Sequence, residues 1–148
     1  MIVGIGLDIV PTERLARALE GFQERVFTAA ELAACAGRVD RTQALAARFA
    51  AKEACFKALG AGVLEGALHE VEVVSAEGGA PQLRLAGALA RRARARGVSH
   101  AHVSLTHEPG LAAAVVILES ASPRRRAPAP PARRPETWTL ETVSSGTW

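Results

Sequence analysis

Asp8 and Glu53 are carboxylates in surroundings that should be apolar, and Lys57 follows Glu53 by one helical turn. Asp8 closes a strand-like stretch, and Glu53 lies in an alanine-rich helical stretch that also holds Arg48 and Lys52. Charges taken out of water are costly unless they are paired or bound to a metal or ligand. Two carboxylates with bases close by suit Mg²⁺, which commonly takes one or two protein carboxylates and completes its shell with water and phosphate oxygens. Lys57, on the same side as Glu53, is expected to reach the same phosphate, while Arg48 and Lys52 supply charge for others. Such a set describes a pyrophosphate or polyphosphate site, with metal and lysine stabilising charge on phosphorus. No Walker A motif is present. The bland alternative is a helix with one Glu53–Lys57 pair and two bases whose stems run along apolar surface to water.

Two elements must position these groups. Residues 2–10 alternate strictly, as a strand does. Val3, Ile5, Leu7 and Ile9 form one face, expected in the core. Gly4, Gly6 and Asp8 form the other, bare before Asp8, so that a backbone or a ligand can approach closely. A dinucleotide fingerprint fails there, because the third glycine of GxGxxG is missing. A lone Asp at a strand end is ordinarily a turn former or helix cap. Here Thr12 is itself a candidate N-cap for a helix over 13–21, which leaves Asp8 less needed in that role. Residues 41–60 read as the second element, a helix with Leu45, Phe49, Phe56 and Leu59 in one stripe and Gly60 as its stop. Its other sides are mostly alanine, which predicts burial all round. Lys52 falls inside the apolar stripe, with Glu53 and Lys57 at its edge.

The remaining segments read as support. Thr28 and Glu31 have capping-box spacing and need no function. Residues 70–74 and 82–85 read as strands around a turn containing Gly79 and Pro81. Residues 86–96 read as a short helix whose Arg91, Arg92, Arg94 and Arg96 form a solvated face. Residues 100–106 and 111–118 look like a closing hairpin. His100 and His102 share a strand face with Ser104 and Thr106, but no third ligand at recognisable spacing supports zinc.

A chain of 148 residues suffices for one domain with a real core. With 49% hydrophobic residues but only 4% aromatics, that core must be built from Ala, Val, Leu and Ile in close contact. No apolar run is long enough to span a bilayer. The N-terminus enters a strand pattern directly, which predicts no signal peptide. Cys35 and Cys55 match no metal or redox spacing and read as reduced thiols of a cytoplasmic protein. The net charge of +3 misleads. Residues 120–148 hold five Arg against two Glu, which leaves thirteen bases and thirteen acids in residues 1–119. A neutral body without interleaved stacking aromatics speaks against nucleic-acid binding. Five of the eight prolines also lie beyond residue 120, so a domain over 1–119 and a disordered tail over 120–148 are expected.

The chain resembles the acyl-carrier-protein synthase family, the small 4′-phosphopantetheinyl transferases. Three stretches carry the resemblance. The first is Gly4-Ile5-Gly6-Leu7-Asp8-Ile9 with Glu13-Arg14. The second is Phe27-Thr28-x-x-Glu31 followed by Arg48-Phe49-Ala50-Ala51-Lys52-Glu53-Ala54-Cys55-Phe56-Lys57-Ala58. The third is Val103-Ser104-Leu105-Thr106-His107. The resemblance implies an α+β fold, an antiparallel sheet packed against a long buried helix. It implies Mg²⁺-dependent transfer of the phosphopantetheine arm of coenzyme A to a serine of acyl carrier protein, for fatty acid biosynthesis, with release of adenosine 3′,5′-bisphosphate. By motif match, Asp8 and Glu53 would hold the metal, and Lys57 would neutralise charge on the transferred or bridging phosphate. The base stays open between Lys57 and a metal-bound water. Arg48, Lys52, Gly79, Pro81, Ser104, Thr106 and His107 would surround coenzyme A, and Arg14 and Arg17 would meet the acidic carrier protein. A homotrimer with sites between subunits, and neither nucleic acid nor membrane as partner, completes the expectation. A coenzyme A-binding module without turnover is the rival reading.

Overall fold

The structure is a computed structural model and describes residues 1–62, 66–76 and 78–121; the tail expected beyond residue 119 lies almost wholly outside them. The chain runs β1 (Ile2–Pro11), α1 (Thr12–Ala18), α2 (Gln23–Val26), α3 (Ala29–Cys35), α4 (Arg41–Leu59), a 3₁₀ turn (Leu68–Glu70), β2 (Val71–Ser75), β3 (Pro81–Leu85), α5 (Gly87–Ala95), β4 (Val98–Glu108) and β5 (Leu111–Ser120). β1, β5 and β4 form an antiparallel sheet in that order, and β2 pairs with β3 in a separate hairpin. α4 lies on one face of the sheet, against all three strands. This is the expected antiparallel sheet on a long buried helix. Among the described residues no helix is long and apolar enough to cross a membrane.

The alternation of β1 is as expected, but the opposite face points inward. Gly6 and Val10 are buried, whereas Ile5, Leu7 and Ile9 are 62%, 57% and 57% exposed. The expected core face is therefore corrected: of its four residues only Val3, beside a register shift between Ile2 and Gly4, packs on the core. The reason is steric. A Cβ on Gly6 would lie 1.9 Å from the Ala54 carbonyl oxygen, and one on Gly4 2.1 Å from that of Ala58. Only a strand face without side chains admits a helix backbone this closely. The alanines of α4 answer it from the other side, and Ala112, Ala114, Val116 and Leu118 of β5 complete the same core.

Among the described residues nothing covers the outer face of the sheet. Across its strands run the rows Ile5–Ile117–His102, Leu7–Val115–Ser104 and Ile9–Ala113–Thr106. The β1 side of this face is apolar and the β4 side polar.

Local signals explain most element ends. Thr28 caps α3, with the Glu31 side chain accepting from the Thr28 N–H at 2.9 Å, as the capping box predicts. Thr12 is not the N-cap of α1; Pro11 holds that position, and the buried Thr12 donates its N–H to the Gly110 carbonyl at 3.0 Å. α1 also stops at Ala18, and α2 follows. α4 ends at Gly60 in the left-handed conformation, with φ +59°. Its last carbonyls show what the basic helix α5 does. The N–H groups of Ala61 and Gly60 serve Phe56 and Lys57, while Arg96 Nη1 and Arg92 Nε reach Ala58 and Leu59, both at 2.9 Å. Two of the four arginines expected in a solvated face thus cap the neighbouring helix.

Gly6→Ala is expected to force β1 and α4 apart and to cost about 3 kcal/mol, the upper part of the usual overpacking range. Gly62→Ala, where a Cβ meets nothing within 4 Å, is the control. Thermal unfolding of the two variants should separate them clearly, and equal melting temperatures would contradict the close approach.

Candidate functional site

A cleft of about 420 Å³ opens where β1, α1 and α4 meet. Asp8 and Glu53 line it together with Arg14, and Ile9, Val10, Leu15 and Phe49 supply an apolar wall. β1 delivers Asp8 because Asp8 shares the inward face with Gly4 and Gly6. α4 delivers Glu53 and Lys57 because they lie on its flank toward β1. Lys57 Nζ donates to Asp8 Oδ1 at 2.8 Å and to the Leu7 carbonyl at 3.0 Å. The lysine thus binds across the strand–helix seam, whereas the bland reading paired it with Glu53.

Burial raises the pKa of Glu53, the negative charge of Asp8 raises it further, and Lys57 opposes both. Asp8 and Glu53 repel each other, and a divalent cation between them would relieve that repulsion. The donor set fits Mg²⁺, which needs only one or two protein carboxylates. Among the described residues no group of three or more His, Cys, Asp or Glu side chains forms a metal cage, so water and phosphate oxygens would supply the other ligands.

Lys52 is corrected. Its side chain is wholly buried, and Nζ meets Glu31 Oε2 at 2.7 Å, the Leu68 carbonyl at 3.2 Å and the Val71 carbonyl. Three partners use its three N–H groups, so none is left for coenzyme A. Burial lowers its pKa, against the pull of Glu31. Glu31 is the residue that sequence reasoning placed only in a cap; it also accepts from the Val73 N–H at 3.0 Å. The lysine inside the apolar stripe was the available signal, because a buried cation demands a buried acid.

Arg48 lies about 140° around α4 from Glu53. It faces the Lys52 side, where its charge acts on Lys52 and on Cys35. Nη1 donates to the Ala44 carbonyl at 3.2 Å, and Nε is buried with no partner among the described residues. Ser104 and Thr106 are exposed on the outer face of the sheet, opposite the side that carries the cleft. His107 is on the inward face, 3.6 Å from Asp40, whose carboxyl Arg38 holds below the usual range through bonds of 2.8 and 2.7 Å. Gly79 and Pro81 sit at the β2–β3 turn, apart from the residues lining the cleft. Arg17 is exposed and donates to the Glu13 carbonyl at 3.3 Å. The chain therefore gathers Asp8, Glu53, Lys57 and Arg14, and leaves Ser104, Thr106, Gly79 and Pro81 elsewhere. The two cysteines offer no nucleophile: both are buried, and burial pushes the Cys55 thiol up to about 12.

The family model described as the 4′-phosphopantetheinyl transferase superfamily matches residues 4–116. A holo-[acyl-carrier-protein] synthase of Anaeromyxobacter dehalogenans is 48% identical over 130 residues, covering 83% of this chain and 100% of that protein. The crystal structure of holo-[acyl-carrier-protein] synthase from Neisseria meningitidis aligns with a TM-score of 0.73 at 32% identity, over 81% of this chain and 100% of that one. The synthase from Bacillus anthracis, in complex with CoA (3′,5′-ADP), aligns with a TM-score of 0.69 at 35% identity, over 82% and 99%.

The raised pKa of Glu53 has a sign that stability measurements can read. The folded chain holds the Glu53 proton to higher pH than the unfolded chain does. Folding therefore takes up a proton in that window, and stability falls as pH rises through it. Without divalent cations, Glu53→Gln should melt higher than the wild type at pH 7, and the gap should close below about pH 4, where the unfolded carboxyl is protonated. Melting temperatures across pH in chelator check this; a glutamine variant less stable at pH 7 would contradict the electrostatic account.

Proposed function

The chain belongs to the 4′-phosphopantetheinyl transferase superfamily, and we propose that it transfers the phosphopantetheine arm of coenzyme A to a serine of apo acyl carrier protein for fatty acid biosynthesis. The convergence of Asp8, Glu53 and Lys57 on one cleft with an apolar wall carries this reading. The serine oxygen forms a bond to the β-phosphorus of coenzyme A. The bond from that phosphorus to the bridging oxygen breaks, the serine proton passes to water, and adenosine 3′,5′-bisphosphate leaves. Asp8 and Glu53 hold Mg²⁺, which when bound supplies charge stabilisation at the pyrophosphate. Lys57 is already an N–H donor at Asp8 and turns to the departing oxygen as charge develops there, an interaction that grows toward the transition state. Arg14, in the cleft, and Arg17, exposed beside it on α1, face the acidic carrier protein.

Arg48 is proposed at the nucleotide end of coenzyme A. Ser104, Thr106, His107, Gly79 and Pro81 are proposed as further coenzyme A contacts. Ser104 and Thr106 lie on the sheet face opposite Asp8, so a single coenzyme A can touch both groups only where two protomers meet. The exposed Ile5, Leu7 and Ile9 give that meeting an apolar surface, which supports a homotrimer with shared sites. Two buried free thiols support a cytoplasmic location.

Mass spectrometry of an apo carrier protein incubated with the chain, coenzyme A and Mg²⁺ tests the reaction, which should add one phosphopantetheine. Asp8→Ala and Glu53→Ala should nearly abolish transfer while remaining folded. Lys57→Ala should lower kcat by about 10²–10³ with a smaller effect on coenzyme A affinity, and Arg48→Ala should do the reverse. Full turnover in either carboxylate variant at saturating Mg²⁺ would sink the site.

For the assembly, sedimentation should give a trimer for the wild type and a monomer for Leu7→Glu. A monomeric, fully active wild type would end the shared-site reading.

A further inference from the structure

We infer that Arg92 and Arg96 of α5 are positioning residues for the reacting site, fixing the last turn of α4 and tying it to β1. The inference rests on the reading of Asp8, Glu53 and Lys57 as the transfer site.

The last turn of a helix leaves four carbonyls without partners inside the helix. In α4 the backbone serves two of them, Phe56 and Lys57, through the N–H groups of Ala61 and Gly60, both at 3.0 Å. The carbonyls of Ala58 and Leu59 depend on side chains from another helix. Arg92 Nε donates to Leu59 at 2.9 Å, and Arg92 Nη2 donates to the Gly60 carbonyl. Arg96 Nη1 donates to Ala58 at 2.9 Å, and Nη2 to the Val3 carbonyl of β1 at 2.6 Å. Both cations also meet the negative end of the α4 dipole.

Arg96 therefore bridges the two elements that carry the site. Val3 precedes Asp8 by five residues on β1, and Ala58 follows Glu53 by five on α4. The bridge lies at the seam where Gly4 brings the β1 backbone onto the Ala58 carbonyl. A planar guanidinium fork holds the two carbonyls on separate nitrogens in a fixed geometry, which a single-nitrogen ammonium on a flexible stem does not reproduce. α5 is a firm base for the bridge. Leu89 is wholly buried, Ala93 nearly so, and the Leu89 N–H is held by Glu70 Oε2 at 3.1 Å.

The geometry matters because Lys57 is in the turn that these arginines close. A frayed last turn moves Lys57 away from Asp8 while leaving Glu53, one turn earlier, in place. Misplacement of a reacting group by about 1 Å can cost 10²-fold in rate.

The test compares wild type, Arg96→Gln, Arg96→Lys, Arg92→Gln, Lys57→Ala and the double variant Arg96→Gln/Lys57→Ala. Amide hydrogen exchange over residues 57–61, melting temperature, kcat and KM for coenzyme A are measured on each. Arg96→Gln should speed exchange at residues 59–61, lower kcat by about tenfold or more, and leave KM for coenzyme A nearly unchanged. Arg96→Lys should recover only part of the loss. On the Lys57→Ala background, Arg96→Gln should cost little more, because its effect acts through Lys57. Unchanged exchange in Arg96→Gln overturns the inference whatever the transfer assay gives. So does faster exchange with an intact kcat for the folded fraction, which is what a purely structural cap predicts. If Lys57→Ala keeps full activity, the reading of the transfer site fails instead, and the exchange data still report on the cap.

Discussion

The contact between the bare face of β1 and the backbone of α4 is the constraint on which the rest depends. Gly4 and Gly6 leave space that the Ala58 and Ala54 carbonyls occupy, and no side chain could share it. The approach sets the distance from strand to helix, and with it the distance from Asp8 to Glu53 and Lys57. It also decides which side of the sheet is covered. Once the glycine face is buried, alternation turns Ile5, Leu7 and Ile9 outward. One steric fact thus builds the cleft and leaves an apolar surface on the outer side of β1.

α4 carries charges on two sides, and the two sets differ in kind. On one side Lys52 and Glu31 are wholly buried, with Lys52 bonded also to two carbonyls and Glu31 to two N–H groups. Removing one member of such a pair typically costs about 3–5 kcal/mol, because the other charge is left buried alone. That set anchors α4 against α3 and β2. On the other side Lys57 is half exposed, and its pair with Asp8 is worth at most about 1 kcal/mol. A contact that weak is easily exchanged when a phosphate or a cation arrives. The strong pair holds the helix still, and the weak one is the pair proposed to act on the substrate.

The same division separates what was readable in the residues from what was not. Lys52 in the apolar stripe signalled a buried partner, yet nothing local named Glu31 or withdrew Lys52 from the substrate. The arginine run from Arg91 to Arg96 looked like solvated surface, because a helix alone does not reveal that another helix's open end lies beside it. The capping box at Thr28 and Glu31, by contrast, closes within four residues and was legible in full.

The α+β class came with the family resemblance, and the expectation that Asp8 meets the Glu53–Lys57 turn came from the cost of unpaired charge; from the sequence pattern itself came the long helix with its stop at Gly60 and the alternation of β1. These depend on periodicity and local chemistry, which neighbours in the chain decide. Only the tertiary structure decided which face of β1 is inside, which acid holds Lys52, and that Lys57 bonds to Asp8 across the seam. Those outcomes depend on volumes and partners brought together from distant positions. A strand with isoleucines on one face and glycines on the other can bury either. The choice fell to the glycines because α4 presents alanines and backbone on that side, and such a helix packs most closely where the strand has no side chain.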